Sequence, residues 1–469
     1  MDALGLLDSA VRAASGTLRW LGTLDRNLLS LLIGAAAALF LGLRWGLRRR
    51  RAAVAVEARL DALQRETRKL KELLRLRLDQ APGGLPNGTA GAPTMGAGEA
   101  FEADIAKAAD AIIEAGGSRA RAKDLLRRRA QGNGAANGRL NGSEAGYWRQ
   151  LGALSFLDRT HDALNAYSRA ADLAPGDPDA HMLVGVLALR AGRLEAAEVA
   201  FRRQIELGAG DAGGQARYRG HTLLGDVLAA KGEPAEALEA YEAALREVAA
   251  LSEREPDDVR WQRDLSVACD RIGDALATRG ELDAALASYK CSLEVVEALV
   301  QREPGNVLWQ RDLSITHDRI GDALDRKGDL DGALASYRRG LAIAEALAKR
   351  EPARAEWQWD LSASLDRIGD LLMAKGRTDE AVAVFRRGLG IAESLARSDP
   401  ANMAWQRDLA VSCHKLGTIE SGRDNAGEAR ELLERGRAII ARLDGIAAHQ
   451  AQWRADLSKF DQALRTLDP

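Results

Sequence analysis

Five tryptophans, Trp261, Trp309, Trp357, Trp405 and Trp453, stand 48 residues apart, and the text around them recurs with them. WQRDLSVACDRIGDAL begins at Trp261, WQRDLSITHDRIGDAL at Trp309, WQWDLSASLDRIGDLL at Trp357 and WQRDLAVSCHKLGTIE at Trp405. Self-similarity at a fixed period of this size means that one supersecondary unit is used again and again, each copy burying its apolar side on the next.

The unit reads as a pair of helices. Trp261, Leu265, Ala268, Ile272 and Leu276 fall at i, i+4, i+7, i+11 and i+15, one apolar face of a first helix, A. A cation followed by glycine (Arg279-Gly280, Lys327-Gly328, Lys375-Gly376) predicts its end, because the charge suits the negative terminus and glycine takes the left-handed cap. Asp283, Asp331 and Asp379 then lie near the start of a second helix, B, with apolar positions at Leu286, Tyr289, Leu293 and Val296; Pro304, Pro352 and Pro400 close each unit. Aromatic residues are only 4% of the chain, which suits helices better than strands. Antiparallel helix pairs repeated in line make an all-α solenoid.

A Leu/Ile-Gly pair in helix A, a Gly seven residues on, an Ala five after that and an aromatic four later recur as Leu224-Gly225, Gly232, Ala237, Tyr241; Ile272-Gly273, Gly280, Ala285, Tyr289; Ile320-Gly321, Gly328, Ala333, Tyr337; and Ile368-Gly369, Gly376, Ala381, Phe385. This pattern resembles the tetratricopeptide repeat. Gly185, Gly192, Ala197 and Phe201 fit it with shorter spacing, as do Trp148, Leu151, Gly152, Ala163, Tyr167, Ala170 and Pro175 with one turn residue missing. The resemblance implies a right-handed α-solenoid: two short units over 147–214, five lengthened ones over 215–452 and a capping helix over 453–469. Independently, a glycine inside a helix costs about 1 kcal/mol against alanine, so Gly225, Gly273, Gly321, Gly369 and Gly417 predict a close approach of helix B.

Helix A also repeats polar residues that a core does not need: Asp270 and Asp274, Asp318 and Asp322, Asp366 and Asp370, with Arg271, Arg319 and Arg367 beside them. The resemblance implies that these aspartates, with Asp226, line a concave groove that would favour a basic or amine-bearing peptide. The other reading is an Asp–Arg ladder tying adjacent units together.

Nothing reads as an active site. The two glycine-rich stretches lack the Gly-Lys-Ser/Thr of a phosphate loop, and no nucleophile elbow or metal cluster is present in the sequence. Cys269, His317, Cys413 and His221 hold equivalent places in successive units, so the repeat keeps them apart; buried structural positions are expected. The tryptophan row is expected to pack on the preceding helix B rather than to stack a ligand. Cys269, Cys291 and Cys413, an odd number without a CxxC pair, argue against a disulfide framework and for a reducing compartment. A formal charge of -2 gives no global field for nucleic acid. No enzyme, metal or cofactor is expected.

The N-terminal third differs. LLSLLIGAAAALFLGL, Leu28 to Leu43, carries no charge and predicts a membrane helix over 28–47, with Trp20 and Trp45 near its ends. Arg48-Arg49-Arg50-Arg51 follows, which by the positive-inside rule keeps the C-terminal part in the cytoplasm, and the order of charge and apolar run is the reverse of a cleaved signal peptide. Residues 1–27, with Leu4, Leu7, Val11, Ala14, Leu18 and Leu21 on one stripe, read as an interfacial helix. Over 52–80, Val56, Leu60, Leu63, Thr67, Leu70 and Leu74 keep heptad spacing, the pattern of a coiled coil that would dimerise the chain or of a single helix extending the anchor. Glycine-rich spacers are expected over 81–100 and 131–146, flanking a helical pair over 101–130 in which Ser118 caps the second helix. The bias toward Ala, Gly and Arg suits a GC-rich bacterium, hence an inner membrane. The functional expectation is a membrane-anchored scaffold for cytoplasmic proteins or, alternatively, a non-catalytic assembly or regulatory subunit of an envelope enzyme complex.

Overall fold

The computed structural model describes residues 64–73, 97–115, 117–131, 144–208, 214–446 and 451–467. The expected interfacial segment 1–27 and membrane helix 28–47 lie outside the described residues, as do most of 52–80, 81–96 and 132–143. Among the described residues no helix is long and apolar enough to cross a membrane.

All regular structure among the described residues is helical. After the helical stretch 64–73, whose Leu70 is buried, α1 (Ala97–Glu114) and α2 (Arg119–Ala130) precede the array. Helix α1 starts inside the expected spacer 81–100: Ala97, Glu99 and Ala100 are good helix formers, and Ala100 is buried. Ser118 caps α2 by accepting from the Arg121 amide.

Hairpins follow, A then B: α3 (Glu144–Phe156) with α4 (Thr160–Leu173), α5 (Pro178–Arg190) with α6 (Leu194–Leu207), α7 (Gln215–Lys231) with α8 (Pro234–Arg254), and α9 (Val259–Thr278) with α10 (Leu282–Arg302). The array continues with α11 (Val307–Lys327) and α12 (Leu330–Arg350), α13 (Ala355–Ala374) and α14 (Thr378–Ser398), and α15 (Met403–Ser421) and α16 (Ala426–Ile446), and ends on α17 (Ala451–Leu467). The helices of the first two hairpins have 13 or 14 residues and those from α8 to α16 have 19 to 21. Each B helix packs on its own A and on the A of the next hairpin. Consecutive A helices such as α5 and α7, or α9 and α11, also touch directly, which puts the A helices on the inner side of the curve.

Helix ends obey local chemistry. Asp258, Asn306 and Asn402 cap α9, α11 and α15 from three residues before each tryptophan, accepting from backbone amides at 3.0 to 3.4 Å. Arg354 stands at that place before α13; it makes no side-chain cap, and its guanidinium lies 4.2 Å over the Trp357 ring. Gly280, Gly328 and Gly376 have φ of +83°, +83° and +70°. They are the left-handed stops expected after the basic residues.

The tryptophans pack as expected. Trp261 joins Ala244, Val248 and Leu251 of the preceding helix B, and Trp357 joins Ala344, Leu347 and Ala348 of its own predecessor. The glycine signature has a definite cause. A Cβ on Gly225, Gly273 or Gly321 would lie 2.4 to 2.5 Å from ring carbons of Tyr241, Tyr289 or Tyr337, and one on Gly369 would meet Phe385 at 2.5 Å. The ring of helix B rests against helix A at the glycine. The phenol oxygen then reaches the next residue: Tyr241 donates to Asp226 (2.9 Å), Tyr289 to Asp274 (2.8 Å) and Tyr337 to Asp322 (2.6 Å).

Candidate interaction groove

The aspartates singled out from the sequence are brought into one row, and each meets a cation of the next unit. Arg271 reaches back to Asp226 at 3.2 Å. Arg319 bridges Asp270 (3.1 Å) and Asp274 (3.0 Å), Arg367 bridges Asp318 and Asp322 (3.3 Å each), and Lys415 bridges Asp366 (3.4 Å) and Asp370 (2.8 Å). Asp270 and Asp274 share a helix face because they are one turn apart, so a guanidinium on the neighbouring A helix can hold both.

The two members of each pair differ in environment. Asp270 and Asp318 have side chains 12% and 10% exposed, whereas Asp274, Asp322 and Asp370 are 34%, 46% and 59% exposed. Burial pushes the Asp270 and Asp318 carboxyls up to about 6 against the pull of Arg319 and Arg367, and it raises Asp226 and Asp366 as well. Each rung from Asp270 onward sets two carboxylates against one cation, so the ionised row carries surplus negative charge on its outer, wetter side.

A second ladder runs the other way, and sequence reasoning missed it. Arg263 makes a two-pronged pair with Asp312 (2.6 and 3.1 Å), Arg311 does the same with Asp360, and Arg407 reaches Asp456 at 2.9 Å. Trp359 replaces the arginine in its unit, and its indole N–H donates to Asp408 at 3.0 Å. The signal was present in the recurring Gln-Arg-Asp-Leu text; adjacent Arg and Asp look like a solvated face until they are read one repeat apart.

The first rung of that ladder is incomplete: Gln215 stands where Arg263, Arg311 and Arg407 stand in later units, opposite Asp264. Burial pushes the Asp264 carboxyl up to about 7, more than Arg263, Arg219 and Arg260 pull it down. An unfolded aspartate titrates near 3.9. Between about 4 and about 7 the folded chain therefore holds a proton that the unfolded chain has released, and stability falls as pH rises through that window. Asp270 and Asp318 add the same slope up to about 6. We expect Asp264→Asn to flatten the fall in Tm between pH 5 and 8 and to exceed wild-type stability at pH 8 by on the order of 1–2 kcal/mol. A variant whose Tm changes with pH just as the wild type's does would contradict the assignment.

The A helices of the early units are covered by the chain itself. Helix α1 packs across the A helices α3 and α5, and its Glu99 accepts from Arg219 of α7 at 2.9 Å. Phe101 stacks on Phe156 (4.7 Å between centroids) and meets Tyr167 edge-on. Asp104, buried, accepts from Tyr167 (3.0 Å) and from Arg149 (3.0 and 3.1 Å). In the first unit Ala153 follows Gly152, so α1 supplies the carboxylate that helix A carries next to its glycine in the later units. The sequence indicated an amphipathic helix here; its resting place was not legible, because the residues that receive it are ordinary core positions of the repeat.

Cys269, His317 and Cys413 are buried as expected, each in its own unit, whereas His221 is only half-buried; among the described residues no cluster of His, Cys, Asp and Glu could hold a metal ion.

Comparison with known proteins matches models described as tetratricopeptide repeat to residues 153–212, 222–294 and 362–395. Among solved structures, the apo form of RapI is similar with a TM-score of 0.50 and 14% identity, covering 79% of this chain and 98% of that one. BtubC from P. vanneervenii is similar at a TM-score of 0.40 and 17% identity, over 50% of this chain and 89% of its own. A putative kinesin light chain from Podosopora anserina with nearly identical TPR-like repeats is similar at a TM-score of 0.35 and 19% identity, over 48% of this chain and 96% of its own. At such identities the RapI likeness speaks for the fold alone. No curated protein matches the chain.

Proposed function

We propose that this chain, an array of tetratricopeptide repeats, is a scaffold that binds a protein segment along the inner face of its later units, and that the segment is basic. The observation that carries this reading is the outer row of Asp274, Asp322 and Asp370. Each is held by a cation of the next unit yet stays a third or more exposed, and each rung has one carboxylate more than its cation balances. The inner aspartates, Asp270 and Asp318, act between units and leave little surface for a ligand. A cationic side chain laid on the outer row gains a partner without displacing the buried contacts. The lengthening of the later units fits the same reading, since longer A helices present a wider inner wall.

The location we propose rests on sequence. The uncharged run from Leu28 to Leu43 and the four arginines from Arg48 to Arg51 support a single-pass anchor at the inner membrane with the array on the cytoplasmic side. The heptad spacing over 52–80 supports pairing of two anchored chains.

Crosslinking in intact cells, followed by identification of captured proteins, should recover partners through segments rich in Lys and Arg. The triple variant Asp274→Asn, Asp322→Asn, Asp370→Asn should weaken binding of such a segment about tenfold or more, with the Tm shifted far less than by any change at Arg319. Capture that survives the triple variant unchanged would sink the reading.

A further inference from the structure

The geometry points to Cys269 and Cys291 as a reversible thiol–disulfide pair that staples helix A to helix B in one unit of the array. The two Sγ atoms lie 2.6 Å apart, closer than unbonded sulfurs sit in van der Waals contact. Cys269 is on α9 and buried, whereas Cys291 is on α10 and exposed. The equivalent helix positions of the later units hold other residues: His317 and Arg339, Leu365 and Arg387, Cys413 and Arg435; His317 and Cys413 each lie near their arginine. The third cysteine therefore faces an arginine, and only the α9–α10 hairpin pairs two thiols. A search for CxxC spacing cannot find such a pair, because its partners meet across a hairpin 22 residues apart.

The chemistry divides between the two sulfurs. Cys291 is the exposed sulfur and the one an oxidant reaches first; the neighbouring Cys269 lowers its pKa, while contact with Cys291 and burial hold Cys269 up. With hydrogen peroxide as oxidant, the Cys291 thiolate attacks one peroxide oxygen, the O–O bond breaks, and the products after proton transfer are a sulfenic acid and one water. Cys269 sulfur then attacks the Cys291 sulfur, the S–OH bond breaks, and its proton leaves with the hydroxide as a second water. Two thiols and one peroxide become one disulfide and two waters. A dithiol returns two electrons and two protons and restores both thiols. The next residue after Cys269 is Asp270, whose carboxylate is held by Arg319 of the following unit, so the staple closes beside a rung of the inner ladder.

The test uses the full chain, reduced and then treated with stoichiometric hydrogen peroxide, with thiols alkylated and mapped by mass spectrometry. The expected result is one intramolecular disulfide joining the Cys269 and Cys291 peptides, Cys413 still alkylated, a Tm raised by several degrees, and reversal of both by dithiothreitol. Cys291→Ser, a change at an exposed position, should fold as wild type and show neither the bond nor the Tm shift. Both Cys269 and Cys291 remaining alkylated after peroxide, or bonds that instead join Cys413 or separate chains, would overturn the assignment.

Discussion

Gly321→Leu will destabilise the array by about 3 kcal/mol or more, read as a lower urea midpoint and Tm. A Cβ at this position would sit 2.5 Å from two carbons of the Tyr337 ring, and a leucine adds three further carbons where the ring already lies. Tyr337 cannot swing aside cheaply, since it is buried and its hydroxyl donates to Asp322. Gly321→Ala should cost less, because one methyl asks for a smaller shift. Adding Tyr337→Ala to the leucine variant should recover part of the loss, since it removes the obstacle; strictly additive losses would show that the ring is not the cause. A Tm equal to wild type for Gly321→Leu would refute the close packing.

Arg319→Met will cost about 3–5 kcal/mol, because it strands Asp270 and Asp274 with no cation between them and leaves a buried carboxyl to be desolvated alone. The loss should shrink as pH is lowered toward 5, since protonating Asp270 removes the buried charge. Lys375→Ala provides the contrast. Its partner Asp331 is 91% exposed, and loss of this solvent-screened surface pair should move the Tm far less than Arg319→Met does. Equal effects from the two variants would mean that burial does not grade the ladder.

Much of this architecture is legible in the text of the chain. The tryptophan positions, the helix-A glycines and the basic-Gly stops each reflect a local rule, and local rules survive into the fold. The sequence could also place Asp270 and Asp274 on one helix face, since that needs only the helical period. Contacts between elements are harder to read. Arg263 and Asp312 meet because helices one repeat apart lie side by side with a particular stagger, and nothing local to either residue specifies that stagger. Likewise, Cys291 meets Cys269 through the hairpin's packing. Helix α1 shows the limit most clearly: its buried Phe101, Ile105 and Ile112 announce that the helix packs, but not that it lies over α3 and α5.

The opposed directions of the two ladders have a mechanical consequence. Asp312 and Arg319 are seven residues apart on α11, roughly 10 Å along the axis, and each is fastened to α9. Two fastenings at that separation fix an angle as well as a distance, so each joint hands its orientation to the next. Between α7 and α9 the fastening of Arg271 to Asp226 is present, but Gln215 replaces the other guanidinium. There the Tyr218 hydroxyl donates to the Asp264 carbonyl at 3.4 Å in its stead, a weaker tie than a guanidinium pair, so that joint should pivot before those that carry two ionic fastenings. It lies where the stretch covered by α1 gives way to the stretch beyond it, so a bend there would change the angle between the units that α1 clasps and the units that carry the outer aspartates.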